Sequence, residues 1–260
     1  MTRPLPLAPG AGRRIIREIA GNVGVSPAKN LNGQKGGNRM GTTMTFYHIR
    51  NDGLDRERLQ SGLKEVAGEE RASSARFEKM MIGFMGEEMF RQVEREVKAT
   101  QQHFDSIFGE RPKLPSPMIG YRPDAAWLPF FSVDICEGRT ASSKDARKLS
   151  KLFGVPVLAL SIFDSDILFV SYSDAAKGVE YDFAKPPYEE YEEYDAELYS
   201  TQFPQFLTQL CPALTEEKLT EIWEADEVFA DDRIYKLGEI LGLSPINGEV
   251  PEGFEVITAD

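Results

Sequence analysis

The spacing of apolar and polar positions changes rhythm several times along the chain. From Phe46 to Ile49, within MTFYHIR, the two kinds alternate at period two, which predicts a short strand near 45–50. Helical spacing takes over at once, with Leu54, Leu59, Leu63 and Val66 on one side of a predicted helix. Over 72–108, Phe77, Met80, Met81, Phe84, Met85, Phe90, Val93, Val97, Phe104, Ile107 and Phe108 recur mostly at three- and four-residue steps. Arg91, Glu94, Arg95, Glu96 and Lys98 fall between them. This predicts a long amphipathic helix, kinked at Gly83 and Gly86, because each glycine costs about 1 kcal/mol against alanine inside a helix. Buried methionine commonly fills irregular gaps, so the Met and Phe stripe is expected to be ordinary core, with a partner or cofactor groove as the alternative.

The stretch GERPKLPSPMIGYRPDAAWLP breaks the helical rhythm. Its prolines 112, 115, 117, 123 and 129 predict an ordered connection crossing the surface, which divides a helical half, 53–109, from a mixed half, 127–260. FFSVDIC then predicts a strand near 130–136, with Phe131, Val133 and Ile135 on one face and Ser132, Asp134 and Cys136 on the other. Ser142 or Ser143 caps a helix near 143–153 that ends at Gly154. The segments 155–163, 167–173 and 178–183 are rich in β-branched and aromatic residues. Their connections are too short for parallel crossovers, so they should form a consecutive antiparallel meander. FPQFLTQL, TEEKLTEIW (capped by Thr215) and DDRIYKLGEILGL predict three short amphipathic segments, anchored by Trp223, Phe229, Ile234, Leu237, Ile240 and Leu241. Together these elements predict an α+β class in which 44–260 is a single globular domain, a mostly antiparallel sheet with helices packed on one face.

Composition adds limits. The chain has 260 residues, 41% hydrophobic and 28% charged, as in ordinary globular proteins, and its apolar runs fall well short of the roughly 20 residues that cross a bilayer. Charge is unevenly placed. Residues 1–43 hold seven Lys or Arg against Glu18, a net of +6, which leaves −18 on residues 44–260 of the chain's −12 total. The same 43 residues contain eight glycines, four prolines and no aromatic residue, so they predict a disordered basic arm with at most a short helix around RRIIREIA. An organelle presequence or an RNA-touching arm fits that composition. The preferred expectation is an upstream translation artefact. Lys35-Gly36-Gly37 can be encoded by the ribosome-binding sequence AAGGAGG two codons before Met40, where translation would then begin. The acidity of 44–260 argues against a nucleic-acid partner for that part.

Candidate chemistry is sparse. His48, His103, Cys136 and Cys211 stand one by one with no pair at a ligand spacing, so neither a metal nor another cofactor is expected, and the low cysteine use favours a reducing cytoplasm. Asp164 and Asp166 in FDSDIL would point the same way on a strand and, with Asp134, could serve a metal-assisted hydrolase. A tight hairpin turn accounts for the pair with less. The most unusual stretch, Glu180 to Glu197, holds eight acids and four tyrosines. Within it Tyr188, Glu189, Glu190, Tyr191, Glu192, Glu193 and Tyr194 combine aromatic anchors with carboxylates that steer a basic partner. The function expected from sequence is therefore a non-catalytic interaction protein of a bacterial cytoplasm, of antitoxin, immunity or adaptor type, binding a basic protein through this face. The hydrolase is the alternative, and the oligomeric state is left open.

Overall fold

The computed structural model describes residues 43–108, 115–136, 142–187, 199–225, 230–244 and 250–260. The basic arm and the Tyr188–Tyr194 face lie outside the described residues. Seven strands form one sheet: β1 (Met44–Arg50), β2 (Met118–Tyr121), β3 (Trp127–Phe131), β4 (Val157–Phe163), β5 (Ile167–Asp174), β6 (Val179–Lys185) and β7 (Glu255–Thr258). Their order is β6-β5-β4-β1-β3-β2-β7, and every pairing between them is antiparallel. The class is α+β. β4, β5 and β6 form the consecutive meander expected, with Phe163 opposite Ile167 and Asp174 opposite Val179.

The helices are α1 (Arg56–Met85), α2 (Glu87–Phe108), α3 (Val133–Cys136), α4 (Ser143–Phe153), α5 (Glu216–Trp223) and α6 (Ala230–Leu241), with a 3-10 turn at Gln205–Gln209. Side chains that leave the chain free to start a helix mark three of their beginnings. Asp55 accepts from the Arg58 N–H at 2.8 Å, Ser142 from Asp145 at 3.3 Å and Thr215 from Lys218 at 3.3 Å. α4 ends on Gly154, whose φ of 71° is the left-handed conformation that closes a helix at least cost in glycine.

Helices cover both faces of the sheet rather than one. On one face Tyr47, Ile49, Ala159 and Phe169 pack with Leu59, Leu63 and Val66 of α1 and Leu149 and Phe153 of α4. On the other, Phe46, Leu158, Leu160 and Val170 pack with Phe206, Trp223, Ile234 and Leu237. The reason is visible in β4 and β5, whose residues are buried on both sides almost without interruption, so two apolar faces need two covers.

Two further expectations change. The strand expected near 130–136 starts earlier and stops at Phe131. The Ile135 and Cys136 N–H groups both donate to the Ser132 carbonyl, at 3.2 and 2.8 Å, so VDIC closes into the short helix α3. The proline-rich stretch is not a surface connection, for it contributes β2 and β3, and Met118, Ile119, Trp127 and Leu128 are fully buried. Pro129 fits within β3 because Gly120 lies beside it on β2, where a Cβ would stand 2.9 Å from Pro129 Cγ.

The long helical pattern of 72–108 breaks into two helices at Gly86, which has a φ of 85°. Arg91 on α2 reaches back to Glu78 on α1 at 2.8 Å, and Met81 and Phe90 are buried at the corner. In one straight helix these two positions would lie about 20 Å apart, so the chain turns back on itself there. The core expected from the Met and Phe stripe forms only in part: Met81 and Phe90 are buried and Met85, Val93 and Val97 half-buried, while the rest of the described stripe faces solvent. Phe77, Met80 and Phe84 are 48%, 60% and 63% exposed, and Met89 and Ile107 are both 57% exposed.

Candidate functional site

Three regions bear on function. The first is the edge of the sheet at β6, where the acidic tyrosine-rich segment departs. The chain leaves β6 after Lys185 and returns to it at Ser200, whose N–H donates to Asp182 O at 2.9 Å and whose carbonyl accepts from Ala184 N at 2.9 Å. Both ends of the segment are thus tied to one edge strand. Beside them stands an aromatic cluster in which the Phe206 ring lies 4.6 Å from Tyr181, 5.6 Å from Phe183 and 5.3 Å from Tyr172, measured between centroids. Tyr181 is partly exposed at this edge, and burial pushes the Tyr172 hydroxyl above its ordinary pKa, with Asp174 adding to the effect. The partner-binding residues Tyr188 to Tyr194 themselves belong to the part not described.

The second region holds the aspartates. Asp164 and Ser165 have φ of 51° and 64°, and the Asp166 N–H donates to Phe163 O at 3.0 Å. Two consecutive left-handed residues are what a primed hairpin turn demands, and Asp tolerates that conformation. Asp164 and Asp166 therefore shape the β4–β5 turn and do not alternate along a strand. Its Ser165 carbonyl accepts the Ala230 N–H at 2.9 Å, which docks the start of α6. Asp134 sits on α3. Among the described residues no group of three or more His, Cys, Asp or Glu could hold a metal ion, so these three carboxylates are not brought together as one. Cys136 is buried in α3 and Cys211 is half-buried beside the Ile240 carbonyl.

The third region is a cavity of about 320 Å3 between β1, β4 and α6, walled by Phe46, Leu160, Ile234 and Leu243 with His48 and Glu239 as its charged-type members. His48 is 1% exposed, and neither ring nitrogen makes a hydrogen bond of normal geometry. Burial pushes its pKa down to about 4, only partly offset by the backbone at Ser244 and Phe46. The imidazole is therefore neutral at pH 7, one donor and one acceptor in an apolar wall. Among the described residues that line the cavity, none is Ser, Thr or Cys. The sequence held a signal for this placement, since period two puts His48 on the same strand face as Phe46.

No family model, curated protein or solved structure matches this chain. Its function must be argued from its own residues. Among the described residues, no helix is long and apolar enough to cross a membrane.

Proposed function

We propose that the chain is a non-catalytic interaction protein of a bacterial cytoplasm, of antitoxin, immunity or adaptor type, that holds a basic protein on its acidic tyrosine-rich segment. The observation that carries this reading is the tethering of that segment at both ends to β6, at Lys185 and Ser200, beside the Tyr181, Phe183 and Phe206 cluster. A strand edge with aromatic side chains offers a firm base for a segment whose tyrosines serve as anchors and whose carboxylates set the association rate. Charge supports the same partner. Residues 109–260 carry −16 of the −18 found on 44–260, so the field around this edge attracts a basic surface.

Affinity capture from lysate with mass spectrometry tests the proposal when it is run beside two variants. One changes Tyr188, Tyr191 and Tyr194 to Ala, and the other changes Glu189, Glu190, Glu192 and Glu193 to Gln. The expected outcome is a basic protein that is retained by the parent chain, lost from the Tyr variant and slower to bind the Glu variant, with both variants melting like the parent. Retention that neither variant alters, or a Tyr variant that melts lower yet keeps its partner, would overturn the proposal.

A further inference from the structure

We infer that the α1–α2 hairpin is a self-association surface, on which Phe77, Met80, Phe84 and Met89 meet the same residues of a second copy of this chain. The apolar residues are placed for it. Phe77, Met80 and Phe84 follow one another at steps of three and four, which keeps them on one side of α1. The side of α1 that meets α2 is a different one, marked by Glu78, Met81, Ile82 and Met85, which are buried or half-buried. On α2 the inward stripe is Phe90, Val93, Val97 and Gln101. At about 100° per residue, Met89 and Ile107 stand roughly a quarter-turn from that stripe, on the flank that Phe77, Met80 and Phe84 occupy on α1. One broad side of the hairpin therefore carries five large apolar side chains, each about half exposed or more.

Charge decides between a second copy and other occupants. Residues 71–108 contain six Lys or Arg and six Asp or Glu, a net of zero, in a chain whose residues 44–260 otherwise sum to −18. Such a surface neither attracts a basic protein nor draws toward an anionic lipid headgroup. It can meet its own copy without like-charge repulsion. Size is also adequate. The 22-residue α2 is about 33 Å long, and two helices side by side are about 20 Å wide, an outline of roughly 650 Å2 per partner or about 1,300 Å2 over both, at the low end of the ~1,200–2,000 Å2 of standard interfaces.

Sedimentation velocity on the full chain tests the inference and needs no knowledge of a basic partner, so its outcome is separate from that of the proposed function. At concentrations up to about 100 µM, where a Kd of about 10 µM leaves most of the chain paired, the expected species is a dimer. Changing Phe77, Met80 and Phe84 to Gln should raise the dimer Kd at least about 100-fold, as loss of clustered apolar anchors does. A second variant guards against misfolding: Phe84→Cys should give an intermolecular disulfide under mild oxidation, whereas Val133→Cys, an exposed apolar position on α3, should not. A monomer throughout that range, a dimer unaltered by the triple change, or equal cross-linking at both cysteines would overturn the inference. A monomer that floats with phosphatidylcholine vesicles through Phe77, Met80 and Phe84 would overturn it in favour of a lipid surface.

Discussion

The two halves of α1 carry the same kind of apolar spacing and meet opposite fates. Leu59, Leu63 and Val66 are at most 1% exposed against the sheet, while Phe77, Met80 and Phe84, farther along the same 30-residue helix, stand in solvent. The difference lies in what faces them. The first half runs against β7, where Arg56 pairs with Glu255, and beside α4, and the helix's other main neighbour is α2. Apolar periodicity reports that a helix has a face to cover and leaves the cover unnamed.

Truncation separates the two halves most sharply. Leu63→Ala should cost about 2–5 kcal/mol, because the site is sealed by other side chains and cannot collapse fully, and urea denaturation would read the loss as a lower midpoint. A midpoint within error of the parent would place Leu63 outside the cooperative core.

Acid tests the buried sheet alone. His48 has a folded-state pKa of about 4 against about 6.5 unfolded, so its stabilising effect is complete above pH 6.5 and is lost as pH falls toward 4, where the unfolded chain binds the proton first. The full loss is about 3 kcal/mol, since each pKa unit is about 1.4 kcal/mol. Stability measured from pH 7 to 4 should fall with that slope and flatten in His48→Gln; an unchanged slope in the variant would assign the acid sensitivity elsewhere.

A smaller effect is expected where α1 crosses α4. A Cβ at Gly62 would press into the Phe153 ring, 2.8 Å from Cζ and closer still to Cε1. Gly62→Ala should therefore cost about 1–3 kcal/mol by overpacking, against the usual gain from replacing a helical glycine. Thermal melts decide the sign, and a raised Tm would mean that the two helices separate easily.

The smallest effect belongs to the exposed half. Phe84→Ala should move the stability of the dilute monomer by no more than about 0.5 kcal/mol, the range of ordinary surface changes. A loss near that of Leu63→Ala would show that the hairpin stripe is core after all.

Elements with strong local chemistry were legible in the sequence. The β4–β5–β6 meander follows from β-branched runs with short turns between them, and α4 and α5 follow from Ser142 and Thr215 at their starts. The strand nature of Met118–Tyr121 and Trp127–Phe131 was hidden by five nearby prolines, whose local bias toward turns was outweighed by burial of Met118, Ile119 and Trp127 in the sheet. VDIC alternates well enough for a strand, yet the Ser132 carbonyl captures two amide groups and bends it into a helix. At the candidate sites, the turn role of Asp164 and Asp166 could be read from Asp and Ser preferences, whereas the cavity beside His48 could not. That cavity needs β1, β4 and α6, which are far apart in sequence, to meet.

What the sequence determined by itself is the set of local elements, the uneven charge and the existence of apolar faces, because propensity, caps and periodicity act over a few residues. The strand order, the second cover of helices over the sheet and the sharp return at Gly86 were decided by tertiary structure alone. Each depends on which distant surface removes a given apolar face from water, and that free energy is non-directional, so no short window of sequence contains it.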